Sequence, residues 1–447
     1  MATPNIDNLS NCVEDVRRAA IDGDPGPAAP IEYHALRGRL IGSQHRLPPL
    51  YREAVYQPYT RVLDQIGPEG FNQILLRDPN KEGTAGLMLD IAHTILQNGE
   101  RYEELATDGF QEVVSDLYDG FLSEEDRRGV KLPDEGVIPP LVKWGNPHFG
   151  PYTFTIQATS IFDVEAPVVN MPPAHARRGL FAWAALGHET AGHDILHADT
   201  GLRAELAGKV RNALHGFAHQ LDDYWADKID ETASDVLGIL NMGPSAGIGL
   251  IGYFRGLQAA FNGAPKLRNS GGRFTVHPVD ILRGFLAAST VRLLSFQEAE
   301  SWSNTIENET RNDLEQILIG GESIDVQTAV DSARIVAETI VTERLNSLEN
   351  HALGEIQDWA DHDEEIVSNL SEMFTKTGTV PQELVSGAYA AHVVAAAVSA
   401  ALKSEAEILL VFGRMLSILK PMHDSNPSWG PLFVSHPGNI YRHGIYE

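Results

Sequence analysis

The run Gly187-His188-Glu189-Thr190-Ala191-Gly192-His193-Asp194-Ile195-Leu196-His197 places three histidines and two acids within eleven residues. It reads as one helix that carries a metal. Two histidines four apart on a helix share a face and can bind one ion, and a Glu directly after the first stands where a general base is needed. Here five positions separate His188 from His193. On a regular helix five residues rotate a side chain by roughly 500°, about 140° away from its partner at 3.6 residues per turn. One wider turn of the π type restores nearly a full circle, and such turns concentrate at functional sites. Gly192, inside that turn, makes an irregular backbone cheaper. His193 and His197 offer the regular spacing of four instead, with the shorter Asp194 in the base position.

A third ligand separates a site from an accident. Downstream lies Asp227-Lys228-Ile229-Asp230-Glu231-Thr232-Ala233-Ser234-Asp235-Val236-Leu237-Gly238, a second predicted helix. Glu231 and Asp235, four apart, share a face, so one can bind the ion while the other accepts the free ring N–H of a ligand histidine. At this point the chain resembles the gluzincin metallopeptidases, in which a His-Glu helix is followed by a helix bearing a Glu ligand and an Asp four residues on. The Glu231-Thr232-Ala233-Ser234-Asp235 run is similar to that of thermolysin-like enzymes, and the lengthened His188-Glu189-x-x-Gly192-His193 form resembles the dipeptidyl peptidase III family. The resemblance spans about residues 180 to 240. It implies one zinc ion on His188, His193 and Glu231, with Glu189 activating water. His197 is expected beside the site or at the surface rather than on the metal. His215 and His219, with no Glu beside them, are expected on a solvated helical face.

Composition bounds the partners. The chain has 447 residues, 43% of them apolar and 21% charged, an ordinary globular balance. With 61 acidic against 34 basic side chains the formal charge is −27, which argues against nucleic acid and anionic membrane as partners. Cys12 is the single cysteine, so no intramolecular disulfide forms, which fits a reducing compartment. Met1 to Ala20 lacks the basic start and apolar run of a signal peptide, so a cytoplasmic location is expected. The uncharged stretches Val236 to Phe254 and Leu384 to Leu402, broken by glycines in one and rich in alanine in the other, read as buried core rather than membrane spans.

The expected fold class is mainly α (α+β): a zincin-like catalytic core with a small antiparallel sheet, flanked by helical subdomains. Residues 1–50, dense in Pro and Gly, read as an arm. Residues 51–132 carry apolar side chains at spacings of three and four and read as a helical subdomain. Residues 133–290 form the metal-binding core. Within it Tyr152 to Thr159 alternates as a strand does, and short strands are expected around 139–144 and 166–171. The gluzincin resemblance implies that an edge strand binds extended peptide, and residues 166–172 are the candidate. Residues 291–424 read as a helical bundle and 425–447 as a tail.

Attack of water on a carbonyl needs a donor for the developing oxyanion. His277, followed by Pro278 and then Arg283, resembles the His-Pro segment that follows the third ligand in another group of zinc metallopeptidases; it is the first candidate and Tyr253 the second. A His that merely precedes a helix starting at Pro278 is the bland alternative. The expected function is therefore a zinc-dependent hydrolase, a metallopeptidase acting on a peptide or small amide substrate with Glu189 as base. Two alternatives stand beside it. Two His and one carboxylate also make the facial triad of iron oxygenases or the site of another amide or ester hydrolase. A helical scaffold with a structural or relic metal site is the other.

Overall fold

The computed structural model describes residues 4–28, 30–122, 127, 129–134, 138–147, 150–375 and 387–430. Helix accounts for 66% and strand for 6%, so the mainly α expectation holds. Two hydrophobic cores form, and a small sheet stands between them. Strand β1 (Leu141–Trp144), β2 (Tyr152–Phe154) and β3 (Val168–Met171) lie in the order β1-β3-β2. Alternation along the strands sends Leu141 and Val168 into the smaller core, while Val142, Trp144, Val169 and Met171 enter the larger one. Both faces of the central strand are thus buried, which is why β3 is apolar at nearly every position.

Three sequence expectations change here. The sheet is mixed rather than antiparallel: β1 runs parallel to β3 and β2 antiparallel to it. The connection from β1 to β3 is long enough to carry the chain back before β3 begins, as parallel neighbours require. Residues 166–172 are not the edge, because β3 is the middle strand and β2 flanks it. The strand expected over 152–159 stops at Phe154, since the Thr155 carbonyl accepts from the N–H groups of Ala158 and Thr159 and opens a helical turn.

The N-terminal stretch contains two helices that pack on the body. Helix Leu9–Ala20 carries Leu9, Cys12, Val13 and Val16 on one stripe into the larger core, and helix Tyr33–Ser43 joins the smaller one. The subdomain expected over 51–132 is divided likewise. Helices Gln57–Arg77 and Thr84–Glu100 build the smaller core, whereas Phe110, Val113, Val114 and Leu117 of helix Glu104–Leu122 belong to the larger.

Of the uncharged stretches, residues 236–254 and the described part of the second, from 390 to 402, belong to the larger core. Helices Ile229–Met242, Pro244–Phe261 and Ala390–Ala401 are buried along most of their length. Among the described residues no helix is long and apolar enough to cross a membrane. Helices Asp280–Arg292, Ala299–Asn312 and Val326–Thr342 follow, interrupted by strands Ile317–Ile319 and Glu322–Ile324. Their two-residue turn, Gly320-Gly321, has positive φ at both positions (59° and 89°), which only glycine adopts readily. Of the expected C-terminal tail, Trp429 packs against Tyr51 and His423; residues 431–447, with Tyr441, Tyr446, His436 and His443, lie outside the described residues.

Candidate metal centre

The wider turn exists: Gly187–Asp194 is a π-helix. It brings the His188 and His193 rings to 4.8 Å between centroids, nearly perpendicular. The segment crosses helix Ile229–Met242 at unusually close range. A Cβ at Gly187 would lie 3.1 Å from the Gly238 backbone, and one at Gly192 would lie 2.3 Å from Ser234 Cβ. These glycines let the two backbones meet, and that approach puts Glu231 between both imidazoles.

His188 Nε2 lies 3.3 Å from Glu231 Oε2, and His193 Nε2 lies 3.7 Å from Glu231 Oε1. One ligand atom from each of the three residues falls within 4.8 Å of the others. Among the described residues, this is the group that could hold a metal ion. Two observations test the fit. Glu231 Oε2 is buried and, among the described residues, accepts no well-aligned hydrogen bond, although the His188 ring faces it at 3.3 Å. Both histidines also turn their other nitrogen to a carboxylate. His188 Nδ1 donates to Asp235 Oδ1 at 2.8 Å, and His193 Nδ1 to Asp230 Oδ1 at 3.2 Å. Each Nε2 is thereby the nitrogen turned toward Glu231, the position from which a metal ion would displace the ring proton.

The carboxylates are themselves held. Buried Arg283 clamps Asp235 with two bonds, Nε to Oδ2 and Nη2 to Oδ1, both 2.7 Å, while its guanidinium stacks 4.5 Å from the Phe254 ring centre. Asp230 is more open; Arg203 reaches it at 3.1 Å and His197 Nε2 at 3.5 Å. Burial works against ionisation of Glu231, yet the His188 ring beside it holds its carboxyl well below the usual range. Burial would likewise lower His188, but Asp235 and Glu231 override it and raise the ring to about 10. The donor set therefore carries a net demand for positive charge, which a proton or a metal cation satisfies.

Glu189 follows His188 and is buried. Its Oε2 accepts from Thr153 Oγ1 of β2 at 2.9 Å, so the edge strand fixes this carboxylate. Tyr253 feels the same group: burial first, and then the Glu189 charge, raise its hydroxyl, which has no hydrogen-bond partner among the described residues. His277 stands on the other side, with Nε2 3.4 Å from Glu231 Oε2 and its side chain 55% exposed. The helix after it begins at Asp280, not at Pro278. His188, His193, Glu231 and His277 thus meet at one place, and Tyr253 feels the charge of Glu189, the residue after His188.

His193 and His197 meet on Asp230, while the group able to hold an ion joins His193 to His188 and Glu231. His197 turns to Asp230, and Asp194 points into the interior, where neither carboxylate oxygen has a partner and burial, then Glu189, push it well above the usual range. His215 is exposed beyond the end of helix Leu202–Ala213, and His219 sits in a left-handed conformation (φ 63°), so the two share no helical face. Asp230 and Thr153 were missed from sequence. Asp230 sits next to the ligand Glu231, a signal too weak to separate it from the other acids there, and a lone Thr on a strand carries none.

The chain was compared with known families, curated proteins and solved structures: no family model, no curated protein and no solved structure matches it.

Proposed function

We propose that this chain is a zinc-dependent hydrolase, a metallopeptidase that cleaves short peptides with Glu189 as general base. The observation that carries the reading is the convergence of His188 Nε2, His193 Nε2 and Glu231 on one point, with the Glu189 carboxylate anchored beside them by Thr153. A divalent ion held by these three groups would supply Lewis-acid polarisation and would lower the pKa of bound water to about 7. Glu189 accepts the proton of the attacking water and returns it to the leaving amine. His277, partly exposed at the rim, and the Tyr253 hydroxyl are the donors placed to meet the oxyanion. The free side of β2, next to Glu189, offers main-chain groups to an extended substrate. The single cysteine, buried in the core, fits a cytoplasmic setting.

The test is elemental analysis of the purified protein beside His188→Ala, Glu231→Ala and Glu189→Gln, followed by a quenched-fluorescence peptide library. Near one zinc per chain is expected in wild type and in Glu189→Gln, and loss in the other two. Glu189→Gln should reduce peptide cleavage by roughly 10²–10⁴-fold, the usual contribution of a general base. Bound iron, or no metal after incubation with zinc, would overturn the proposal.

A further inference from the structure

The loop that carries His277 displays two large apolar side chains to solvent: Phe274 is 93% exposed and Val276 70%. Single exposed apolar residues are ordinary on a protein surface, but these two stand within three residues of the ring that faces Glu231 Oε2 at 3.4 Å. Resting on the metallopeptidase reading of that centre, we infer that Phe274 and Val276 form an apolar lip that receives a bulky apolar side chain of the peptide, beside the bond to be cut.

The loop is tied at both ends, so its apolar residues are exposed on a fixed support. Lys228, buried three residues before Glu231, donates from Nζ to the Arg273 carbonyl at 2.6 Å, and the helix bearing Glu231 thereby holds the start of the loop. The Arg273 guanidinium reaches the His219 carbonyl at 3.1 Å and Glu322 at 3.2 Å. At the far end the Val279 N–H donates to the Tyr224 hydroxyl at 2.9 Å. Between these ties the Thr275 hydroxyl lies 2.8 Å from the Gly272 carbonyl and 3.1 Å from that of His277, which keeps the segment compact. The short strand Ser270–Gly271 before it pairs with Ile317–Ile319, so the second sheet sets where the lip stands. Loops on rigid supports are where binding contacts concentrate.

What lies next to the lip decides its occupant. His277 is more than half exposed, so this side of the centre is open. A protein partner seated permanently on Phe274 would cover His277 as well and close the approach, whereas a substrate side chain comes and goes with turnover. An apolar side chain gains by leaving water for Phe274 and Val276 and a polar one does not, so the lip discriminates between peptides.

Paired quenched-fluorescence peptides carrying Leu or Ser at each position within two residues of the cleaved bond, given to the zinc-loaded full chain, test the lip. At one of these positions the kcat/KM of the Leu peptide should exceed that of its Ser partner at least about tenfold. Phe274→Ser combined with Val276→Ser should bring that ratio to within about threefold of unity at unchanged zinc content. Leu76→Ser, at an exposed apolar position on helix Gln57–Arg77, should leave the ratio as in wild type. A Leu preference that is missing from wild type, or unmoved in the double variant, overturns the lip while the hydrolase reading stands. A zinc-bound wild type that cuts none of the peptides overturns both. A dimer in sedimentation equilibrium that Phe274→Ser dissociates overturns the lip as well, by giving the loop to a second copy.

Discussion

Replacing Asp235 by Asn isolates the carboxylate that links folding to the metal centre. The side chain is fully buried and makes three close contacts: two from Arg283 at 2.7 Å and one from His188 at 2.8 Å. An Asn keeps the shape but turns an N–H toward the guanidinium and removes the negative charge. Arg283, 4% exposed, is then a buried cation without its counter-ion. Breaking one half of a buried pair costs about 3–5 kcal/mol, a large part of the ~5–15 kcal/mol that a folded domain typically has. The His188 ring also loses its orienting acceptor, and loss of such a partner weakens metal binding by about 10–100-fold, or roughly 1.4–2.7 kcal/mol. Asp230→Asn is the control, because Asp230 is 33% exposed and leaves Arg203 free to turn to solvent. It should lower metal affinity by about tenfold and stability by less than ~1 kcal/mol. Urea denaturation of the metal-free proteins and competitive zinc titration against a chromophoric chelator measure both terms. Equal stability losses in the two variants, or a loss under 1 kcal/mol in Asp235→Asn, would refute the claim that the Arg283–Asp235 clamp supports the site.

Gly192→Ala forces a methyl group to within 2.3 Å of Ser234 Cβ, so the helices must part; a loss of about 2 kcal/mol or more by denaturation, together with loss of zinc, is expected, and retention of both would show that the close crossing is dispensable. Half-buried Glu364 is raised to about 7, by burial first and then by neighbouring acids. Its folded value exceeds the unfolded one near 4.5, so it costs nothing below pH 4.5, and the penalty grows up to about pH 7 and stays at its full size above that. Glu364→Gln, which can still accept from Trp359, should therefore stabilise the protein by roughly 2 kcal/mol at pH 8 and by little at pH 4.5; a gain independent of pH in melting curves would contradict this. His197→Ala should leave zinc stoichiometry unchanged in elemental analysis, since its ring meets Asp230 and not the Glu231 group; zinc loss there would move the centre toward the regular His193–His197 spacing. Thr153→Val should keep zinc and fold but lower turnover of any peptide substrate about tenfold, with Thr153→Ser restoring it, because among the described residues this hydroxyl holds the Glu189 carboxylate.

How much of this was legible in the sequence depends on whether a signal was local. Helix content was, because stripes such as Val330, Ala333, Val336, Ala337 and Ile340 declare their period within a few residues. The order of the sheet was not. Whether β3 lies inside or at the edge depends on where β1 returns, and its uniformly apolar residues fit a middle strand as readily as a covered edge. Pro and Gly density at the N-terminus hid two helices: Leu9–Ala20 carries a full apolar stripe, whereas Tyr33–Ser43 buries little more than Tyr33, Leu36 and Leu40 and has no clear period to read.

At the metal centre the same division holds with sharper consequences. His188 and His193 were visible as a pair only on the assumption of a widened turn, an assumption that Gly192 made reasonable and that its contact with Ser234 explains. The glycine is there because a second backbone passes through the space a side chain would fill, and that second backbone is the one bearing Glu231. The irregular turn and the placement of Glu231 beside both rings are thus two consequences of one helix crossing. A sequence shows them as separate coincidences, 43 positions apart between His188 and Glu231. What it cannot show is the outer ring that fixes them. Thr153 arrives from a strand, Arg283 from a helix far downstream, and Asp230 differs from its acidic neighbours only by where its helix points it. Such groups have no spacing of their own; they become readable only once the crossing that gathers them is known.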